Sequence, residues 1–223
     1  MTQTFIILHG WGQSRDNWKE IEEKLKQKDI TVVILDLPGF GSEPLISNEW
    51  GVPEYADWVK NKIESLQFKN VILLGHSFGG RIASFIASKN PKWLDKLILY
   101  GAPCIYRPSL TICFKILIAK ILKKFGLKGK YKNQELEDAD KSGLGEIFRK
   151  VVPFDQSQEL KKINTKTYLI WGERDNSVPV RIAIEMQSLI PNSELTILNN
   201  LGHNAHLENA NLFAGKLTQI FFL

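Results

Sequence analysis

Residues 71 to 80 constrain the fold more than any other stretch of the chain. Val71-Ile72-Leu73-Leu74 is an apolar run ending in Gly75 and reads as a buried strand, while Arg81-Ile82-Ala83-Ser84-Phe85-Ile86-Ala87 reads as a helix. Between them stands Gly75-His76-Ser77-Phe78-Gly79, a G-x-S-x-G pattern. A strand that turns this sharply into a helix holds its middle residue in a strained conformation. Side chains two positions to either side would collide, so glycine fits there. The serine oxygen then projects above the sheet beside a helix start, where backbone N–H groups and the helix dipole favour developing negative charge. The same five residues on their own would suit an ordinary turn; the strand before and the helix after are what favour a nucleophile.

The rest of the chain repeats the strand-then-helix rhythm. Thr4–Leu8 is a short apolar strand running into His9-Gly10-Trp11-Gly12, and Ser14 caps a helix whose apolar face is Trp18, Ile21 and Leu25. Thr31–Leu35 is a second strand, ending at Asp36-Leu37-Pro38-Gly39-Phe40-Gly41, and Pro53 opens a helix with Tyr55, Trp58, Val59, Ile63 and Leu66 on one side. Lys96–Tyr100, Thr167–Gly172 and Glu194–Leu198 are further strands, and a closing helix runs from about Asn211. Six short strands alternating with helices predict an α/β fold with a predominantly parallel sheet covered on both faces. Ligands of such sheets bind at the carboxyl ends of the strands, where every motif named here falls.

A serine hydroxyl needs a base, and the base needs a group to orient it. Of the four histidines, His76 lies in the turn itself and is expected to point away from the serine, and His9 belongs to the first strand's exit loop. His203, after Gly202 and just beyond the last strand, is the candidate base; nearby His206 is the weaker alternative, better read as a loop or helix-start residue. Asp175, in Gly172-Glu173-Arg174-Asp175 after the penultimate strand, is the candidate acid, giving the chain order Ser77, Asp175, His203. Asp36 precedes the serine and is expected to hydrogen-bond within its own turn. The N–H groups of Phe78 and Trp11 are candidate donors to an oxyanion, and both residues are expected to touch substrate. Packing alone is the competing role for the Trp11 ring.

Together, Leu8-His9-Gly10-Trp11-Gly12, Asp36-Leu37-Pro38-Gly39-Phe40-Gly41, Gly75-His76-Ser77-Phe78-Gly79-Gly80, Gly172-Glu173-Arg174-Asp175 and Gly202-His203 resemble the α/β-hydrolase superfamily in its small, lid-bearing serine branch. The resemblance covers residues 4 to 103 and 156 to 223. It implies a core formed by residues 1–103 and 156–223 with a helical cap, 104–155, inserted over the site. The family's two strands before the histidine-glycine loop have no counterpart here, so a trimmed, all-parallel sheet is expected. The serine sets the chain apart from family members with aspartate at the nucleophile position. Its implied activity is that of a carboxylesterase on a small or medium acyl ester, through an acyl-enzyme and with no cofactor. Other readings are a carbon–carbon or amide hydrolase, or a low-turnover ligand sensor. The histidine-glycine-tryptophan-glycine loop is also similar to that of esterases acting on carrier-bound acyl methyl esters.

Composition matters mainly for the cap. The 223-residue chain carries a net charge of +5, yet residues 104 to 166 hold 14 Lys and Arg against 7 Asp and Glu, and residues 104 to 132 hold 8 and none. Such a segment suits a solvated face, an acidic carrier protein or a membrane surface. A helix is expected at 110–125, with Leu110, Ile112, Phe114, Ile116, Leu117 and Leu122 either lining the pocket or packing the cap onto the core. No nucleic-acid module accompanies the basic residues. Two cysteines, Cys104 and Cys113, form neither a disulfide framework nor a metal motif. With no signal sequence or membrane-spanning run apparent, a cytoplasmic location is expected.

Overall fold

A computed structural model describes residues 3–107 and 134–223. Six strands form one sheet: β1 (Thr4–Leu8), β2 (Thr31–Leu35), β3 (Val71–His76), β4 (Leu94–Tyr100), β5 (Lys166–Gly172) and β6 (Ser193–Leu198). Their order is β2-β1-β3-β4-β5-β6, and every neighbouring pair is parallel. The expected all-parallel six-stranded sheet is therefore what the described residues form.

Side-chain alternation along the strands divides the core in two. Ile6, Leu8, Leu73, Leu97, Leu99, Leu169 and Trp171 pack on one face, with α2 (Val52–Ser65), α3 (Phe78–Ala87) and α7 (Val180–Leu189). Phe5, Ile7, Ile72, Leu74, Ile98, Tyr100 and Ile170 pack on the other, with α1 (Lys19–Lys26) and α9 (Ala210–Phe222). The central strands β1 and β3 are buried on both faces, which explains their unbroken apolar sequences. Before α1, a 3-10 turn (Arg15–Trp18) is capped by Ser14, whose hydroxyl accepts the Asp16 N–H while Asn17 reaches back to the Ser14 N–H. The Asp36 carboxylate accepts N–H groups from Arg15 and Ser42 and the Ser42 hydroxyl, so it does shape its own loop.

Between β4 and β5 the described residues add helices and no strand. The described part of this stretch contains α4 (Gln134–Lys141), α5 (Gly145–Val151) and a single turn, α6 (Ser157–Leu160). The helix expected at 110–125, with its six apolar residues, lies outside the described residues. The two roots of the stretch are stitched together. The Gln156 N–H donates to the Cys104 carbonyl at 2.9 Å, and the Gln156 side-chain amide donates to the Arg81 carbonyl and the Ser84 hydroxyl of α3. Arg107 bridges Asp155 and Glu185 at the surface.

Three features differ from the sequence reading: the helix after the serine begins at Phe78, three residues ahead of Arg81, the helix at Val180–Leu189 has no counterpart in that reading, and a short α8 (Ala205–Glu208) precedes the closing helix. The helices α4 and α5 fall within the stretch 104–155, where helices are expected. Among the described residues, no helix is long and apolar enough to cross a membrane.

Candidate active site

The turn after β3 is held in the strained form its sequence requires. Ser77 has φ 49° and ψ −110°, a conformation that costs a non-glycine residue about 1–3 kcal/mol. Four backbone hydrogen bonds fix it: Ser77 N–H to the Tyr100 carbonyl (2.9 Å), Gly80 and Arg81 N–H to the Ser77 carbonyl, and Gly79 N–H to the His9 carbonyl (3.1 Å). A β-carbon on Gly75 would overlap the Gly79 carbonyl, and one on Gly79 would overlap that of Leu8. The close approach of β3, α3 and β1 is thus available only to glycine at these two positions.

Asp175 and His203 meet behind this turn. His203 Nδ1 lies 2.7 Å from Asp175 Oδ2, while Asp175 Oδ1 accepts the N–H groups of Ser177 (2.9 Å) and Val178 (2.7 Å). The carboxylate is an acceptor on both oxygens, so Nδ1 carries the ring proton and Nε2 is left as the basic nitrogen. Asp175 is buried and His203 is half-buried. Ser77 and His203 line the same cleft, together with Trp11 and Phe78; its volume is about 910 Å3. Among the described residues no hydrogen bond joins the Ser77 hydroxyl to His203 in this conformation.

The first strand's exit loop faces the turn. Neither the Trp11 nor the Phe78 N–H has a hydrogen-bond acceptor among the described residues. The loop is braced instead by its neighbours. The Leu37 N–H donates to His9 Nε2 at 3.0 Å, which leaves His9 Nδ1 to donate to the Gly10 carbonyl. Gln13 Oε1 accepts the Gly10 N–H, and Gln13 Nε2 donates to Asn204 Oδ1 at 3.0 Å, beside His203. The Trp11 ring does pack, edge-on to Phe40, Phe78 and Phe148 with centroids 5.1–5.3 Å apart, so it forms an apolar wall as well as carrying a free amide.

The other histidines are structural in their contacts. His76 is buried, stacks on Tyr100 at 4.4 Å, and sets Nε2 3.0 Å from the His203 carbonyl and Nδ1 3.2 Å from Gln13 Oε1. His206 is buried and stacks on Trp18 at 4.1 Å; its Nδ1 lies 3.4 Å from the Tyr100 hydroxyl. Burial, followed by the neighbouring His203 ring, pulls the His206 pKa down to about 3. Burial and the rings of His206 and His203 push that of His76 well below the ordinary histidine range. Among the described residues no group of His, Cys, Asp and Glu is arranged to hold a metal ion. Cys104 is buried, and burial raises its thiol pKa to about 11.

Three contributors had no signal in the motifs. Gln13, Tyr100 and Gly101 act on the site through tertiary contacts. For Tyr100 the available hint was a polar-tipped aromatic at the carboxyl end of an otherwise apolar strand. Arg81 is a fourth: it lines the cleft yet is 4% exposed, donating to the Val152 and Phe154 carbonyls, with no carboxylate hydrogen-bonded to it among the described residues. Burial lowers its pKa to about 10, so it stays charged at neutral pH.

Comparison with known proteins gives a consistent result. The family model described as alpha/beta hydrolase fold matches residues 3–123. An uncharacterized hydrolase of Bacillus subtilis, YugF, is 30% identical over 228 residues, covering 90% of this chain and 83% of the relative. A 2-hydroxy-6-oxononadienedioate/2-hydroxy-6-oxononatrienedioate hydrolase of Cupriavidus pinatubonensis is 27% identical, covering 95% of this chain and 84% of that protein. Among solved structures, a bromoperoxidase from Bacillus anthracis superposes with a TM-score of 0.80 at 20% identity, over 100% of this chain and 92% of that one. At that identity the likeness is one of fold.

Proposed function

The chain belongs to the alpha/beta hydrolase fold family, and on that premise we propose that it is a serine hydrolase whose triad is Ser77, His203 and Asp175. The observation that carries the proposal is the 2.7 Å pair between His203 Nδ1 and Asp175 Oδ2, set beside a strained serine that opens onto the same cleft. In this reading Ser77 Oγ attacks a substrate carbonyl while His203 Nε2 takes its proton, and Asp175 stabilises the imidazolium that forms. The Trp11 and Phe78 N–H groups, which have no acceptor among the described residues, receive the oxyanion. His203 then protonates the leaving group, and a water activated by the same nitrogen releases the acyl group from Ser77. No step needs a cofactor. Residues 104–155 serve as a cap, supplying Phe148 to the aromatic wall beside Trp11.

An ester of a small or medium apolar acyl group is the proposed substrate, because Trp11, Phe40, Phe78 and Phe148 make one side of the cleft apolar. The test is hydrolysis of short-chain aryl esters together with covalent labelling by a fluorophosphonate. Ser77→Ala should abolish labelling and lower turnover by on the order of 10^4 or more. Retention of both activities in that variant removes the proposal.

A second reading, hydrolysis of a carbon–carbon bond in a carboxylate-bearing substrate, is favoured by Arg81. A buried cation that lines the cleft, with no carboxylate hydrogen-bonded to it among the described residues, would attract an anionic group. The Cupriavidus relative is named for such a dienedioate. Turnover of a 2-hydroxy-6-oxo-dienedioate at a kcat/KM above that for aryl esters would select this reading over the ester one.

A further inference from the structure

Resting on the assignment of Ser77 as nucleophile and His203 as base, we propose that Tyr100 is the positioning residue that sets the distance between them. Tyr100 ends β4, the strand lying between the one that leads to Ser77 and the one that leads to Asp175. It touches the backbone of both reacting residues. Its carbonyl accepts the Ser77 N–H at 2.9 Å, and its hydroxyl donates to the His203 carbonyl at 2.7 Å. One residue therefore spans from the turn to the loop that carries the base, its main chain holding the turn and its rigid ring reaching the loop.

The ring has little freedom to move. It is fully buried, stacked on His76 at 4.4 Å, tilted against Phe213 at 4.6 Å and edge-on to Trp18 at 6.4 Å. Burial raises the phenol pKa, so the hydroxyl remains a donor throughout the working pH range. The Tyr100 hydroxyl makes the shorter of the two side-chain contacts to the His203 carbonyl, 2.7 Å against 3.0 Å for His76 Nε2. Asp175 orients the His203 ring and Gln13 holds Asn204, whereas the carbonyl of His203 itself is contacted by the Tyr100 hydroxyl and His76 Nε2. Acyl transfer depends steeply on the alignment of base and nucleophile, and displacement by about 1 Å can cost on the order of 100-fold in rate. The reaction chemistry passes through Ser77 and His203; Tyr100 contributes only their placement.

Tyr100→Phe tests the idea, because it deletes one oxygen and keeps the ring packing. With p-nitrophenyl butyrate as probe, kcat should fall roughly 10- to 100-fold with KM within about twofold, and fluorophosphonate labelling of Ser77 should slow in parallel. Phe213→Leu loosens the same aromatic cluster without touching His203 and should leave kcat within about twofold once corrected for folded fraction. A Tyr100→Phe enzyme with wild-type kcat overturns the proposal, as does an equal loss of kcat in Phe213→Leu, which would trace the effect to packing. Failure of the underlying assignment looks different: Ser77→Ala would then retain labelling and turnover whatever stands at position 100.

Discussion

Gly101 lies beneath the imidazole of His203: a β-carbon built on it would stand 3.1 Å from both Nδ1 and Cε1 of that ring, and 3.4 Å from Asp175 Oδ2. Its φ of +52° is one that an L side chain adopts only at a cost of about 1–2 kcal/mol. Gly101→Ala is therefore expected to lower stability by roughly that amount and to push the ring off its place, cutting kcat on the order of 10- to 100-fold. Chemical denaturation and steady-state kinetics on one preparation check both. An active, fully stable alanine variant would mean that the ring is not confined from below.

Asp175→Asn separates the two jobs of the carboxylate. The remaining side-chain oxygen can still accept the Ser177 and Val178 N–H groups, so the loop should stay folded. The new amide would face His203 with a donor in place of an acceptor and favour the opposite ring tautomer, costing on the order of 10^4 in kcat. Kinetics alongside thermal unfolding would tell the two jobs apart, and a variant that loses stability but little rate would refute the assignment.

The buried histidines make stability depend on mildly acidic pH. His9, His76 and His206 all have folded-state pKa values lowered by burial, that of His206 to about 3. Below the unfolded value of about 6.5, the unfolded chain binds protons that the native state refuses, so stability present at neutral pH is lost as pH falls. At pH 5 His206, held at about 3, contributes roughly 2 kcal/mol of destabilisation, and the lowered His9 and His76 act in the same direction. Unfolding midpoints should drop from pH 7 to pH 5, and His206→Phe, which keeps the stack on Trp18, should flatten that slope by about the share of one histidine. An unchanged slope would show that His206 titrates normally.

Phe148 closes the aromatic wall against Trp11. Phe148→Ala should cost about 3 kcal/mol in stability and enlarge the acyl side of the cleft. The ratio of kcat/KM for an octanoyl ester to that for an acetyl ester should rise several-fold. A ratio equal to wild type would mean that the acyl chain binds elsewhere.

The parts of this fold that could be read from sequence are those where local chemistry and tertiary environment agree. Ile6 and Leu73 lie in strands buried on both faces, so their segments are apolar throughout and the strands stand out. Ser77, Asp175 and His203 stand out as candidates because each follows a strand and carries a distinctive neighbour, the glycines at 75, 79, 172 and 202. Tyr100 and Gln13 could not be recognised the same way. Each reaches a partner 103 or 191 residues away, and nothing beside it in the chain marks the contact. The helix at Val180–Leu189 was hidden because Ile184 and Leu189 leave its apolar residues on more than one side, with Ile184 exposed. His76, expected to point away from the serine, has a ring that supports the backbone of the loop carrying His203, a contact its place in the turn does not announce.

The single bond from Gln156 to Cys104 brings together two points of the chain separated by more than fifty residues, at the spacing of an ordinary tight turn. The described part of what lies between is nevertheless wedded to the core: Arg81 rests on the carbonyls of Val152 and Phe154, and Ile147 and Val151 pack into the same cluster as Leu73. A segment exchanged at Cys104 and Gln156 must therefore bring its own acceptors for that guanidinium, or strand a buried cation.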